Sequence, residues 1–220
     1  MDSSEDKWAE FHETALPYEQ AVKLEPFKTF LRVIEEFVLT NRIEMLLETG
    51  FGTGYLMVAL YEFLHSEIYN LSIVGVDNSA GCVKRFEELV EKKGFDFLSD
   101  GKILATINKI SDDIFNSKVY EGSIFASTKH GLIYHQGLLE HFSDAKIKEL
   151  LELQTQNSFA VIFSIPSFFY GKQDFGDERL LTIEQWQEIL TPFDFLRLEY
   201  YDDKKHIIGI LKGDFYVESE

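Results

Sequence analysis

Three glycines at alternate positions, Gly50, Gly52 and Gly54, constrain this chain more than any other feature. They follow a short apolar run, Met45-Leu46-Leu47, and precede an apolar-periodic run from Tyr55 to Leu64. That order reads as strand, tight turn, helix. Glycine lets the backbone bend sharply and lets a ligand approach main-chain N–H groups at a helix start. The order is G-x-G-x-G, with Glu48 two positions before the first glycine. A dinucleotide-binding turn reads G-x-G-x-x-G instead. A carboxylate at the mouth of the turn repels a pyrophosphate and suits a ligand with a cationic amine there.

From Ile43 onward, strand and helix patterns alternate. Strands are expected near Glu44–Leu47, Ser72–Val76, Ile103–Asn108, Gly131–His135 and Ser158–Ile165. Helices are expected over Gly54–Leu64, from Ser79 to Lys92, over Asp144–Gln154 and over Thr182–Leu190, with Ser79 placed as a cap. Ser158–Ile165 is almost continuously apolar, as in a central strand buried on both faces. Phe195–Tyr201 and His206–Lys212, joined by Asp202-Asp-Lys-Lys205, read as a hairpin. Alternation of this kind predicts an α/β fold with a doubly wound parallel sheet, to which the hairpin adds an antiparallel strand. Ahead of it, Met1 to Lys7 reads as a tail, and Trp8, Phe11, Leu16 and Tyr18 lie in a weakly helical region broken by Pro17. A better helix begins at Pro26, with Phe27, Phe30, Leu31, Ile34, Phe37 and Val38 in helical period. The expected organisation is a helical cap or lid over residues 1–42 and one ligand-binding domain over 43–220. No internal repeat is visible.

With Glu48 included, the glycine turn resembles motif I of the class I S-adenosylmethionine (SAM) methyltransferases. Three further segments agree in order and spacing. Leu71-Ser-Ile-Val-Gly-Val-Asp77 resembles the second strand with its terminal acid, and Ser111-Asp112-Asp113-Ile114 resembles the segment after the third strand. Tyr134-His135-Gln136-Gly137-Leu138-Leu139-Glu140-His141-Phe142 resembles the strand-4 motif with its Leu-Glu-His core. The resemblance spans most of the chain, from Ile43 to Gly213. It implies a Rossmann-like methyltransferase fold with a mostly parallel seven-stranded sheet and a C-terminal antiparallel hairpin. It also implies SAM as cofactor and S-adenosylhomocysteine as product.

Roles follow from the resemblance residue by residue. Gly50, Gly52 and Gly54 would pass under the methionine part, with Glu48 near its amino group. Asp77 would accept from both ribose hydroxyls, and Asn78 would lie against the adenine. Asp113, or Asp112 offset by one, would accept from the adenine amine, while the Ile114 N–H donates to the ring. Gln136 would line the wall between cofactor and acceptor. Plainer structural roles stand beside these: a turn former at Asp77, a helix start at Asp112-Asp113, an acceptor for loop N–H groups at Glu48.

Methyl transfer from a sulfonium is an in-line displacement, so orientation of the acceptor is the protein's main task. A general base is needed only for an acceptor that must lose a proton, and His135 and His141 are the candidates. A lone histidine near a strand end is more often a packing residue. No metal site is expected, because no third ligand has suitable spacing. The long aromatic loop Pro166–Arg179 and the N-terminal segment are the expected acceptor side, with Tyr18, Tyr170 and Arg179 as substrate contacts. Glu178 and Arg179 would otherwise form a local ion pair.

Charge narrows the partners. The 220 residues carry a net charge of −17, which repels phosphate backbones, so a small-molecule acceptor is expected and nucleic acid is not. A peptide or protein acceptor stays open. The single cysteine, Cys82, excludes an intrachain disulfide and is expected packed or semi-exposed. No apolar run is long enough to span a bilayer, and Met1 to Asp6 are acidic and polar, so a cytoplasmic protein with no membrane partner is expected. Two other readings compete. A nicotinamide-dependent oxidoreductase is disfavoured by the glycine spacing, by Glu48 and by the hairpin. A non-catalytic partner protein of the same fold is disfavoured by the intact glycine turn with Asp77.

Overall fold

The computed structural model describes residues 8, 10–11, 13–68, 71–94, 114–121 and 131–217. The chain divides into two units, residues 1–114 and 115–220.

In the first unit a short helix α1 (Tyr18–Ala21) leads to α2 (Glu25–Asn41). Pro26 sits in the first turn of α2, where its missing N–H breaks no helical hydrogen bond. Phe27, Phe30, Ile34 and Val38 form its buried face, and Arg42 ends it in the left-handed region at φ 53°. Strands β1 (Met45–Thr49) and β2 (Ser72–Val76) pair in parallel, from Met45 against Ser72 to Thr49 against Val76. All ten of these residues are buried, the mark of parallel strands covered on both faces. Helices α3 (Tyr55–Leu64) and α4 (Ala80–Lys93) follow the two strands. Ser79 caps α4 by accepting from the Cys82 N–H, and Gly94 ends it at φ 69°. Cys82 itself is buried.

The second unit holds α5 (Lys118–Glu121), β3 (Leu132–Gln136), α6 (Asp144–Thr155), β4 (Ala160–Pro166), α7 (Ile183–Leu190), β5 (Phe195–Tyr201) and β6 (His206–Lys212). Strand β3 runs parallel to β4; β4 and β6 are antiparallel, and so are β6 and β5. Thr182 starts α7 with a reciprocal cap against Gln185, and Trp186 anchors that helix with no exposed surface. Each described element whose bounds were expected lies within about two residues of them, and the short helix α5 was not expected. Six strands are described. The strand expected at Ile103–Asn108 lies outside the described residues, as do Asp112, Asp113 and the Met1–Lys7 tail.

One row across the second unit's sheet explains two residues at once. His135 pairs with Phe163, and Phe163 with Gly209. The His135 ring stacks on Phe163 at 5.9 Å, and the Phe163 ring also covers Gly209. A Cβ at Gly209 would lie 2.0 Å from Phe163 Cζ. Gly209→Ala should therefore cost about 1–3 kcal/mol by overpacking, read as a lower denaturant midpoint. Adding Phe163→Leu should recover part of the loss. An unchanged midpoint in Gly209→Ala would show that the Phe163 ring moves aside freely.

Candidate functional site

The first unit gathers its polar groups where β1 and β2 end. Gly50, Gly52 and Gly54 all take positive φ, at 66°, 54° and 68°. An L-residue in that region pays roughly 1–2 kcal/mol, so the three glycines are a backbone requirement. The loop is fastened to the neighbouring strand end. The Gly50 N–H donates to the Val76 carbonyl at 2.7 Å. The Gly52 N–H donates to Asp77 Oδ2 at 2.9 Å, and the Ser79 N–H donates to Asp77 Oδ1 at 2.8 Å. From below, Phe86 packs so tightly that a Cβ at Gly54 would lie 2.2 Å from its ring, and Phe51 meets Phe86 at 5.3 Å. The loop is thus preformed.

Asp77 therefore does act as a turn former, but that leaves its binding capacity open. A carboxylate has about four lone-pair sites, and two hydrogen bonds are accounted for. Burial raises its pKa above the usual carboxylate value, against the pull of the two backbone donors. Asn78 beside it is exposed. Glu48 is buried within β1, opposite Gly75. Ile114 is half-buried in a turn.

Tyr18 also belongs to the first unit, and the structure gives it another task. Its hydroxyl donates to Glu62 Oε2 at 2.6 Å, Lys93 binds Glu62 Oε1 at 2.8 Å, and the Lys93 ammonium sits 4.1 Å from the Tyr18 ring. Tyr18 is buried against α3 and α4 as a strut, with its polar end engaged within the chain.

The second unit places its polar groups after β3 and β4. Gln136 ends β3, and the Gly137 N–H donates to the Ser164 carbonyl at 2.9 Å with φ 66°. A single turn, Leu139–His141, follows. The loop after β4 is tied to it by several bonds. The Arg179 N–H donates to the Glu140 carbonyl at 2.9 Å. The Arg179 guanidinium donates to the Phe142 carbonyl at 2.8 Å and to Asp144 at 2.5 Å. The Glu178 carboxylate accepts from the N–H groups of Phe175 and Gly176, at 2.5 and 2.8 Å. Glu178 thus closes the loop on itself and Arg179 ties it to the segment after β3, in place of the alternative pairing with each other. The Tyr170 hydroxyl donates to Asp174 at 2.6 Å. Arg179 and Tyr170, expected as substrate contacts, have their polar ends engaged in shaping the loop.

The two histidines separate. His135 is fully buried in β3, stacked on Phe163, and burial lowers its pKa to about 3. A base must reach its substrate's proton and hold it near neutral pH; His135 does neither, so it is a packing residue. His141 Nδ1 lies 2.5 Å from Asp177 Oδ1, and its ring meets the edge of Phe175. Sequence reasoning missed Asp177, because a partner 36 positions away leaves no local pattern. It also missed the state of Glu140. Burial, helped by the nearby charges of Glu178 and Asp177, raises the Glu140 pKa to about 8. Among the described residues no cluster of His, Cys, Asp or Glu is arranged to hold a metal.

Glu140 carries a pH prediction. Its folded pKa of about 8 stands above the ordinary 4.5. Its contribution to stability is full below the unfolded value and is lost as pH rises through the folded one. Glu140→Gln keeps the shape and removes the charge. It should raise the melting temperature relative to wild type at about pH 9 and do so much less at about pH 5. Equal shifts at both pH values would mean that Glu140 does not titrate in this range.

No family model and no curated protein matches the chain. Solved structures do. A S-adenosylmethionine-dependent methyltransferase from Clostridium acetobutylicum superposes with TM-score 0.61 at 13% identity, over 96% of this chain and 99% of that one. Magnesium protoporphyrin IX methyltransferase from Synechocystis with bound SAM gives 0.61 at 12%, over 97% and 92%. The methyltransferase domain of bacterial CtHen1 gives 0.60 at 15%, over 83% and 96%. This likeness shows the fold: mixed α/β, Rossmann-like, of the kind found in SAM-dependent methyltransferases.

Proposed function

We propose that this chain is a SAM-dependent methyltransferase acting on a small-molecule acceptor. The observation that carries the reading is the glycine loop, held left-handed at three positions and fastened to a carboxylate at the end of β2. The similar structures of magnesium protoporphyrin IX methyltransferase from Synechocystis, one with bound SAM and one with bound S-adenosylhomocysteine, support it. The residues present fit that cofactor. Asp77 keeps acceptor capacity for ribose hydroxyls, and Asn78 is exposed beside it for a flat base. Gly50, Gly52 and Gly54 keep side chains out of the path along the loop, and Glu48 supplies a carboxylate for the amino group. The reading also assigns cofactor contacts to the Ile114 N–H, to Gln136 and to Asp112 or Asp113.

When bound, SAM supplies a methyl group already activated on sulfonium. The chain's own residues then bind, orient and exclude water. For an acceptor that must lose a proton, His141 is the proposed base, with Asp177 against Nδ1 orienting the ring. Tyr170 and Arg179 contribute indirectly on this reading, by fixing the loop that carries Asp177. Acceptor chemistry agrees with the acidic surface, which disfavours polyanions. No helix among the described residues is long and apolar enough to cross a membrane.

Binding tests the reading directly. S-adenosylhomocysteine should raise the melting temperature, and NAD should not. The reverse pattern would refute the assignment. Asp77→Asn, which keeps the side chain's size but replaces one accepting oxygen by an NH2, should weaken SAM binding by ~1–2 kcal/mol in calorimetry, because the loop loses one of its two backbone bonds and the ribose a charged acceptor. Wild-type affinity in a folded Asp77→Asn protein would place the ribose acceptor elsewhere.

A further inference from the structure

Strand β5 lies at an edge of the sheet and pairs only with β6 among the described strands. An open edge offers N–H and C=O groups to another strand, and soluble proteins usually protect it. This edge is apolar at one end: Phe195 is 44% exposed and Leu196 38%. The register slips between Phe195 and Arg197, so Leu196 has no opposite residue on β6. Beyond it come Arg197, Leu198 and Glu199, whose charged pair forms an ion pair along the strand. Both charges stand on one face, since they are two residues apart.

We propose that β5 pairs with β5 of a second copy of this chain, antiparallel and two-fold symmetric about Leu198. The charge pattern selects that occupant and that register. With Leu198 facing its own copy, Arg197 of each strand lies opposite Glu199 of the other, so the two-fold creates two cross-strand ion pairs. Leu196 of each strand then faces Tyr200 of the other. Sliding the pairing so that residue 197 or 199 faces itself sets like charges against each other. Both charges exchange a partner on their own strand for one across the interface, and neither is left unpaired. Phe195 and Leu196 lose their exposure to water at the two ends of the paired strands.

Sedimentation equilibrium on the full chain tests this, with far-UV circular dichroism and melting temperature as folding controls. Wild type should show a concentration-dependent monomer–dimer equilibrium. Arg197→Glu sets Glu opposite Glu199, and Glu199→Arg sets Arg opposite Arg197. Each should raise the dimer dissociation constant about tenfold or more, because two symmetric pairs turn repulsive. The double swap Arg197→Glu/Glu199→Arg restores opposite charges at both pairs and should return the constant close to the wild-type value. A wild-type chain that stays monomeric leaves the edge for a strand of another protein and overturns the proposal. So does a dimer that ignores the single swaps, or a double swap no better than either single one.

Discussion

One carboxylate ties the glycine loop to the strand beside it. Asp77 takes the Gly52 N–H on one oxygen and the Ser79 N–H on the other. The first bond fixes the turn after β1, and the second fixes the entry to α4. Without Asp77 the left-handed glycines would have the freedom to adopt that path and little reason to stay on it, since glycine gains conformational choice at an entropic cost. The packing of Phe86 under Gly54 completes the arrangement from the apolar side. A loop held from both sides loses little entropy when a ligand arrives, which is the general benefit of preorganisation. The same carboxylate is the proposed ribose acceptor. Structural and binding roles thus converge on one residue because both need an anion at the end of β2.

The second unit solves a related problem with side chains instead of glycines. The loop after β4 carries Phe175, Asp177, Glu178 and Arg179, and each is engaged. Glu178 turns back to bind two N–H groups of its own loop. Arg179 reaches Phe142 and Asp144 on the segment after β3. What these bonds fix in place is Asp177, and through it the His141 ring. A histidine proposed as a base needs a defined tautomer and orientation, which a carboxylate on Nδ1 supplies. Glu140, next in sequence, is kept mostly protonated at neutral pH by burial. That avoids a third negative charge beside Asp177 and Glu178.

Much of the fold was legible from periodicity. Strands buried on both faces read as apolar runs, and helices declared themselves by apolar period, one of them together with the cap at Ser79. The glycine turn was legible because its spacing has few solutions. What sequence could not supply was direction. In β3 every residue but the last is buried, so nothing distinguishes a histidine aimed at a ligand from one stacked on Phe163. Tyr18 and Arg179 were singled out for their polar ends, yet the partners that engage them lie 44 and 35 positions away. Such contacts arise from packing and leave no local trace. Gly209 was overlooked for the same reason: the ring that requires it belongs to a different strand.

The acidity that sequence alone reported takes on a more specific meaning beside the proposed site. A net charge of −17 sets up a negative field well beyond any one contact. On the proposed reading, the cofactor enters as a cation, with its sulfonium and amine outweighing one carboxylate. It leaves without the sulfonium charge. The field therefore favours entry of the reactive form over retention of the spent one, and it does so without a dedicated side chain. Salt screens such an effect over about 8–10 Å at physiological strength, so it acts on approach and leaves the final fit to the loop. On the same proposed reading, specific recognition rests with Glu48, Asp77 and the glycine backbone, while the distributed surface charge sets which ligands reach them.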